Sequence, residues 1–209
     1  MNKKLTGIVA GAAGAALLIS GGTYALWNDS ATTDGGTITA GNLDVEAVGT
    51  PTWNDVSGDR TDSPHVIDLS TFKIVPGDTI TGAYGFDLGL QGDNIVAELA
   101  LTGDALSGDL AEGLTATYTL KQGATVIGTA TGSLGSGIDV QLTSSDNTGD
   151  TTGAIVVPAA VDGAADVTLE VAITFDENTD ERDLVQTTAA LTSASATLTQ
   201  VRADGPGYN

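Results

Sequence analysis

The chain has 209 residues, with 27 acidic against seven basic and no cysteine. A net charge of −20 repels nucleic-acid phosphates and anionic lipid head groups, so neither is an expected partner; such a surface suits solubility and self-repulsion outside a cell. With no disulfide available, a domain of this length has to hold itself together by core packing, which for an exported protein fits a Gram-positive bacterium best.

The chain opens with Lys3 and Lys4, an apolar run from Ile8 to Ser20, and a small-residue exit at Gly21-Gly22-Thr23-Tyr24-Ala25. A charged start, a short apolar middle and a small-residue exit make a secretory signal peptide. The apolar run falls short of the roughly 20 residues that span a bilayer, so it is expected to be removed rather than kept as an anchor. Residues 1–25 are therefore read as the signal peptide, with the cut between Ala25 and Leu26. Its loss removes Lys3 and Lys4 and none of the 27 acidic residues. No sorting motif or second apolar segment is seen near Arg202–Asn209, so no stable membrane anchor is expected after cleavage, and the protein is placed outside the cell, in a matrix or at the surface.

Residues 26–37 follow. They are too polar for a core strand by themselves, and Gly35-Gly36 offers a hinge. From residue 38 onward the pattern is that of one β-sandwich domain. Apolar residues recur at alternate positions in four runs: Ile80, Tyr84, Phe86, Leu88 and Leu90; Ile95, Ala97, Leu99 and Leu101; Leu114, Ala116, Tyr118 and Leu120; Val167, Leu169, Val171, Ile173 and Phe175. Period-two alternation of this kind puts one face of each strand in a core and the other in water. Shorter strands are expected at Leu43–Ala47, Val66–Val75, Thr125–Ala130, Ile138–Thr143, Ala154–Val157 and Thr187–Val201. Helix signals are sparse; one short turn is expected within Asp104–Gly113, with Asp104 as cap and Leu106 and Leu110 on one side. Ser144–Gly153 has no apolar residue and is expected to be an exposed loop. The whole reads as an all-β, antiparallel sandwich with few helical turns, of jelly-roll or immunoglobulin-like topology.

Catalytic material is scarce. His65 is the single histidine, no Gly-X-Ser-X-Gly elbow is present, and a zinc peptidase needs a histidine pair that one residue cannot supply. No catalytic residue is assigned, and the protein is not expected to be an enzyme. The best metal candidate is Asp176, Asn178 and Asp180, which reproduce the first three oxygen ligands of an EF-hand loop. Glu181 then replaces the glycine such a loop needs and Thr187 the bidentate glutamate, so calcium is the only cofactor considered, and an ordinary solvated turn is the competing reading.

Several segments resemble one family. Gly21-Gly22-Thr23-Tyr24-Ala25-Leu26-Trp27-Asn28-Asp29-Ser30 followed by Ile38-Thr39-Ala40-Gly41-Asn42-Leu43-Asp44-Val45 is similar to the N-terminal block of the TasA/camelysin family of secreted, fibre-forming biofilm matrix proteins, whose signal peptides are cut by a SipW-type signal peptidase. Val75-Pro76-Gly77-Asp78-Thr79-Ile80 with Tyr84-Gly85-Phe86 resembles its Pro-Gly-Asp turn and following strand, and Ile173-Thr174-Phe175-Asp176 with Ala194–Gln200 resembles its closing strands. The resemblance implies a jelly roll and, through the family register, a cut that can also fall after Leu26. It further implies that Leu26, Trp27, Asn28, Asp29, Ser30, Ala31, Thr32 and Thr33 form a donor strand that completes the sheet of the next subunit, with Trp27 as anchor. A head-to-tail contact of that kind does not close and grows into a fibre. The expected partners are thus other copies of this chain and the signal peptidase. Camelysin-type relatives are classed as metallopeptidases, so a peptidase is the third reading, after a monomeric sandwich that holds calcium or a surface ligand.

Overall fold

Eleven strands and one short helical turn make up the described residues of a computed structural model: 37–102, 106–132, 137–149, 153–179, 184–191 and 195–201. In chain order the strands are β1 (Asn42–Val48), β2 (Trp53–Asp55), β3 (His65–Ile67), β4 (Thr79–Gln91), β5 (Val96–Thr102), β6 (Leu114–Gln122), β7 (Thr125–Thr131), β8 (Ile138–Ser144), β9 (Ile155–Val157), β10 (Val167–Phe175) and β11 (Ser195–Val201). They fall into two sheets, one ordered β3-β2-β4-β10-β6-β7 with β1 also paired to β4, the other ordered β11-β5-β8-β9. Every pairing is antiparallel except β8 with β9. The protein is an all-β sandwich.

The alternating runs build its core. Phe86, Leu88 and Leu90 of β4, Ala116, Tyr118 and Leu120 of β6, and Val167, Leu169, Val171 and Ile173 of β10 face Ala97, Leu99 and Leu101 of β5 and Leu142 of β8. β10 sits between β4 and β6, with Leu169 opposite both Tyr84 and Leu120. β4 is long enough to be shared: its first half pairs with β2 and its second with β1 along one side, while β10 covers the other side as far as Phe86.

Beyond Phe86 a strap replaces β10. The segment from Pro158 to Asp166 leaves β9 in one sheet and enters β10 in the other, and along the way it serves the backbone of β4. Leu90 N–H donates to the Pro158 carbonyl, Leu88 N–H to Asp166 Oδ2 at 2.8 Å, and Asp166 N–H to the Phe86 carbonyl. The strap lies close over the outward face of β4, where a side chain at Gly89 would meet Val161 and Ala160 backbone atoms. Asp87, two residues earlier on that face, is 1% exposed.

The Pro-Gly-Asp segment is a turn. Asp78 N–H donates to the Val75 carbonyl, Val75 N–H donates to Asp78 Oδ2, and Gly77 has φ 96°. Proline second and a positive-φ glycine third are what a type II turn requires. Gly77 N–H and Asp78 C=O then pair with Phe175 at the end of β10. Replacing Gly77 by valine forces a β-branched residue to a positive φ; the expected outcome is a loss of about 1–3 kcal/mol, read as a lower urea midpoint at unchanged slope.

Three local expectations are corrected. Of the expected Val66–Val75 strand only Val66 and Ile67 form, within β3, because Asp68 folds the chain back: its Oδ1 accepts Ser70 N–H and its carbonyl accepts Thr71 and Phe72 N–H. The helical turn is a five-residue 3₁₀ segment at Asp109–Gly113, entered from Gly108 without a side-chain cap, and Asp104 lies outside the described residues. In the expected Thr187–Val201 strand, β11 begins at Ser195, while Ala190 makes only an isolated bridge to Ser107. The Ser144–Gly153 loop is polar as expected yet tied down at its start, since Ser144 is buried and Asn147 Nδ2 donates to the Ile95 carbonyl and to Thr143 Oγ1.

Candidate functional site

Two strands leave a main-chain edge without a strand partner on the same side of the sandwich. Among the described residues β1 pairs only with β4 and β11 only with β5, and the two lie next to each other, one at the margin of each sheet. Between them is a cleft of about 310 Å³ lined by Leu43, Asp44, Val45, Ala196, Thr197 and Leu198. Leu43, Val45, Ala196 and Leu198 are half-buried and rest on the core. The cleft therefore has an apolar floor and polar backbone groups on both rims, which suits an extended peptide: backbone pairing gives affinity and small pockets take alternate side chains.

A larger cavity of about 630 Å³ lies at one end of the sandwich, lined by apolar side chains such as Phe72, Ile74, Leu106, Leu110, Phe175 and Leu191. Leu184 and Gln186 on its wall have φ of 61° and 64°, a conformation that branched or bulky residues rarely hold and that costs about 1–3 kcal/mol. Thr187 relieves part of that by donating from its N–H and Oγ1 to the Leu184 carbonyl.

Polar side chains gather around β2 and β3. Asp55, buried, accepts from the N–H and Oγ of Ser57, and Ser57 Oγ in turn accepts from Thr79 N–H at 3.1 Å. The Arg60 guanidinium forks onto Asp62 at 2.9 and 2.8 Å and stands 3.6 Å from Asp55 Oδ2; His65 Nδ1 is 3.4 Å from Asp62 Oδ2. The Ser57 hydroxyl holds Asp55 below the ordinary carboxylate range, with Arg60 adding to this, so this carboxylate supports the fold above the unfolded value of about 3.9 and loses its contribution as pH falls below that through the lower folded value. Arg60 does the same to Asp62. Ser57 is committed to Asp55 and to backbone, and His65 contacts Asp62 at the surface, so the three residue types of a nucleophilic relay are present without the hydrogen bonds that would link them.

The expected metal ligands are described only in part. Asp176 Oδ1 accepts from both the backbone N–H and the side-chain amide of Asn178, at 2.9 and 3.0 Å, and Thr179 Oγ1 donates to the Asp176 carbonyl. The Asn178 N–H groups hold the Asp176 carboxyl below its usual range. These bonds close a turn on itself. Asp180 lies outside the described residues, as do Ala25, Leu26 and the donor segment Leu26–Thr33. What the sequence pattern could not reveal is the cleft: Leu43–Ala47 and the end of Thr187–Val201 read as strands, but adjacency of two strands separated by most of the chain leaves no local signal. Nor did Asp55, Arg60 and Asp62 stand out, since acidic residues are common throughout.

A family model described as camelysin metallo-endopeptidase matches residues 1–112, which take in the N-terminal block, β1 to β5 and the Pro-Gly-Asp turn. No curated protein matches the chain.

Proposed function

Since the chain belongs to the camelysin family, also known for TasA, we propose that it is a secreted, non-enzymatic structural subunit of an extracellular matrix fibre that assembles head-to-tail by donor-strand complementation once the signal peptide has been cut. The observation that carries this reading is that β1 and β11, each with one strand partner among the described residues, flank a cleft lined by Leu43, Val45, Ala196 and Leu198 together with Asp44 and Thr197. A segment freed at Leu26 adds there to a neighbour's sheet, its backbone pairing with the rims and Trp27 as its apolar anchor. Because the donor and the cleft occupy different parts of one chain, the contact is heterologous and propagates.

The family's description names a metal-dependent peptidase, and the donor set here does not fit a resident catalytic metal. A catalytic zinc takes three protein ligands, usually two or more of them histidine or cysteine. The chain has one histidine and no cysteine. The carboxylate closest to that histidine, Asp62, is held by Arg60, a fixed positive charge where a cation would have to sit. No group of three metal-binding side chains occurs among the described residues.

The absence of cysteine makes a clean test available. Ser30→Cys together with Thr197→Cys, joined by a short bis-maleimide, should yield a ladder of covalent multimers from assembled protein, and either single variant should stop at dimers. Assembled fibres that give no ladder would refute docking of this segment at this cleft.

A further inference from the structure

Asp87 presents an unsolved hydrogen-bonding problem. Its side chain is buried; Oδ2 accepts from the N–H groups of Asp162 and Gly163, yet Oδ1 has no hydrogen-bond partner. A buried carboxylate oxygen left without a donor is costly, about 1–3 kcal/mol. The nearest carboxyl that the hydrogen bonds place beside it is Asp166, which bonds the β4 backbone on either side of Asp87: its N–H donates to the Phe86 carbonyl and its Oδ2 accepts from Leu88 N–H.

We propose that Asp166 is protonated in the folded protein and donates its proton to Asp87 Oδ1, so that a carboxyl–carboxylate bond clamps the Pro158–Asp166 strap onto β4. Each oxygen then has a use: Asp166 Oδ2 accepts from Leu88, its other oxygen carries the proton, and Asp87 accepts on both sides. The charges around the pair favour this arrangement. Burial pushes the Asp166 carboxyl above the ordinary range, the Leu88 N–H works against that, and the negative Asp87 and Asp162 push it further up. β1 adds Glu46, which stands opposite Asp87 in the register, and Asp44 opposite Gly89. On β10, Glu170 holds the Lys121 ammonium. Among the described residues no lysine, arginine or histidine is ion-paired with Asp87 or Asp166, so a shared proton supplies the missing donor. A metal ion is the less suitable occupant, since no three acidic or histidine side chains converge to hold one among the described residues.

The pH dependence has a definite sign. Folding takes up a proton that the unfolded chain releases at the same pH, so the clamp is fully effective below the unfolded carboxylate value of about 3.9 and is lost as pH rises through the higher folded value. Many other carboxylates contribute to the pH response of so acidic a protein, and a comparison with Asp166→Asn removes them, because both chains share them. An asparagine at 166 donates to Asp87 and accepts from Leu88 at any pH.

The experiment is thermal melting of the purified full chain and of Asp166→Asn from pH 4 to 7.5. The variant is expected to melt roughly 3 °C or more above the unsubstituted protein at pH 7.5, the two converging towards pH 4. A variant that melts lower than, or level with, the unsubstituted protein at pH 7.5 overturns the proposal. So does millimolar calcium that raises the melting temperature of the unsubstituted protein at pH 7.5 and leaves Asp166→Asn unchanged, since a cation then bridges the pair. Should the variant fail to fold, carboxyl-carbon NMR titration of the unsubstituted protein decides: an Asp166 midpoint well above 3.9 supports the shared proton, and one at or below that value overturns it.

Discussion

Deletion of Leu26–Thr37 is expected to leave a folded β-rich domain that no longer forms fibres. The deleted segment precedes β1, and every described strand has at least one strand partner within the sandwich without it, so folding and assembly should separate. In far-UV circular dichroism the truncated protein should keep its β signal, while negative-stain microscopy of the same sample shows no regular filaments. The vacant cleft between β1 and β11 leaves the truncated protein monomeric or prone to irregular aggregation. A synthetic peptide of the deleted sequence, added in excess, should seat in that cleft and raise the melting temperature by mass action, about 2.7 kcal/mol at a hundredfold excess over its dissociation constant. Trp27→Ala should weaken assembly less than the deletion, because backbone pairing survives the loss of one side chain. Regular fibres from the truncated protein, or no polymer from the processed full-length protein after days at high concentration, would make the monomeric binding module the better account.

Leu169→Ala is expected to be among the most destabilising single substitutions. Leu169 is 0% exposed on β10, the strand between β4 and β6, and its truncation removes a full branched side chain from the place where both neighbouring strands meet the facing sheet. Losses for buried leucines truncated to alanine run at about 2–5 kcal/mol, more where the surroundings cannot collapse. A central strand held on both sides cannot shift to fill the gap, so the upper part of that range applies. The check is equilibrium urea unfolding of the domain lacking Leu26–Thr37, at a concentration where both variants are monomeric by size-exclusion chromatography. Thr168→Ala, next to it on the outward face, should change stability by under 1 kcal/mol; equal effects from the two would mean that the inward and outward faces of β10 are misassigned.

That pair of substitutions also shows where the sequence was informative. The parity of Val167, Leu169, Val171, Ile173 and Phe175 reports which face is buried, because side chains on a strand alternate with a period of two whatever the strand's neighbours are. The same rule identified the inward residues of β4, β5 and β6, and proline with glycine in Val75–Asp78 identified the turn between Val75 and β4, since proline pre-sets the second position of a type II turn and glycine takes the positive φ of the third without strain. Expectations failed where the deciding interaction was a side chain capturing nearby backbone. Asp68 ends β3 early through such bonds, and the polarity of an aspartate alone does not say whether it points to water or to its own chain.

The sequence by itself thus determined an all-β class, the faces of the long strands and, through its N-terminal block, the family. Each of these rests on local periodicity or on residues adjacent in the chain. Only the tertiary structure decided which strands became edges, that β1 and β11 flank one cleft, and that Asp166, at the end of the strap, bonds the β4 backbone on either side of the buried Asp87. Those facts depend on contacts between residues far apart in sequence: Leu43 and Leu198, or Asp87 and Asp166, come together because closing two sheets over a common core leaves them no other place. No local pattern encodes such a meeting, because burial constrains each strand's face and leaves its neighbours to be chosen by how the whole chain packs.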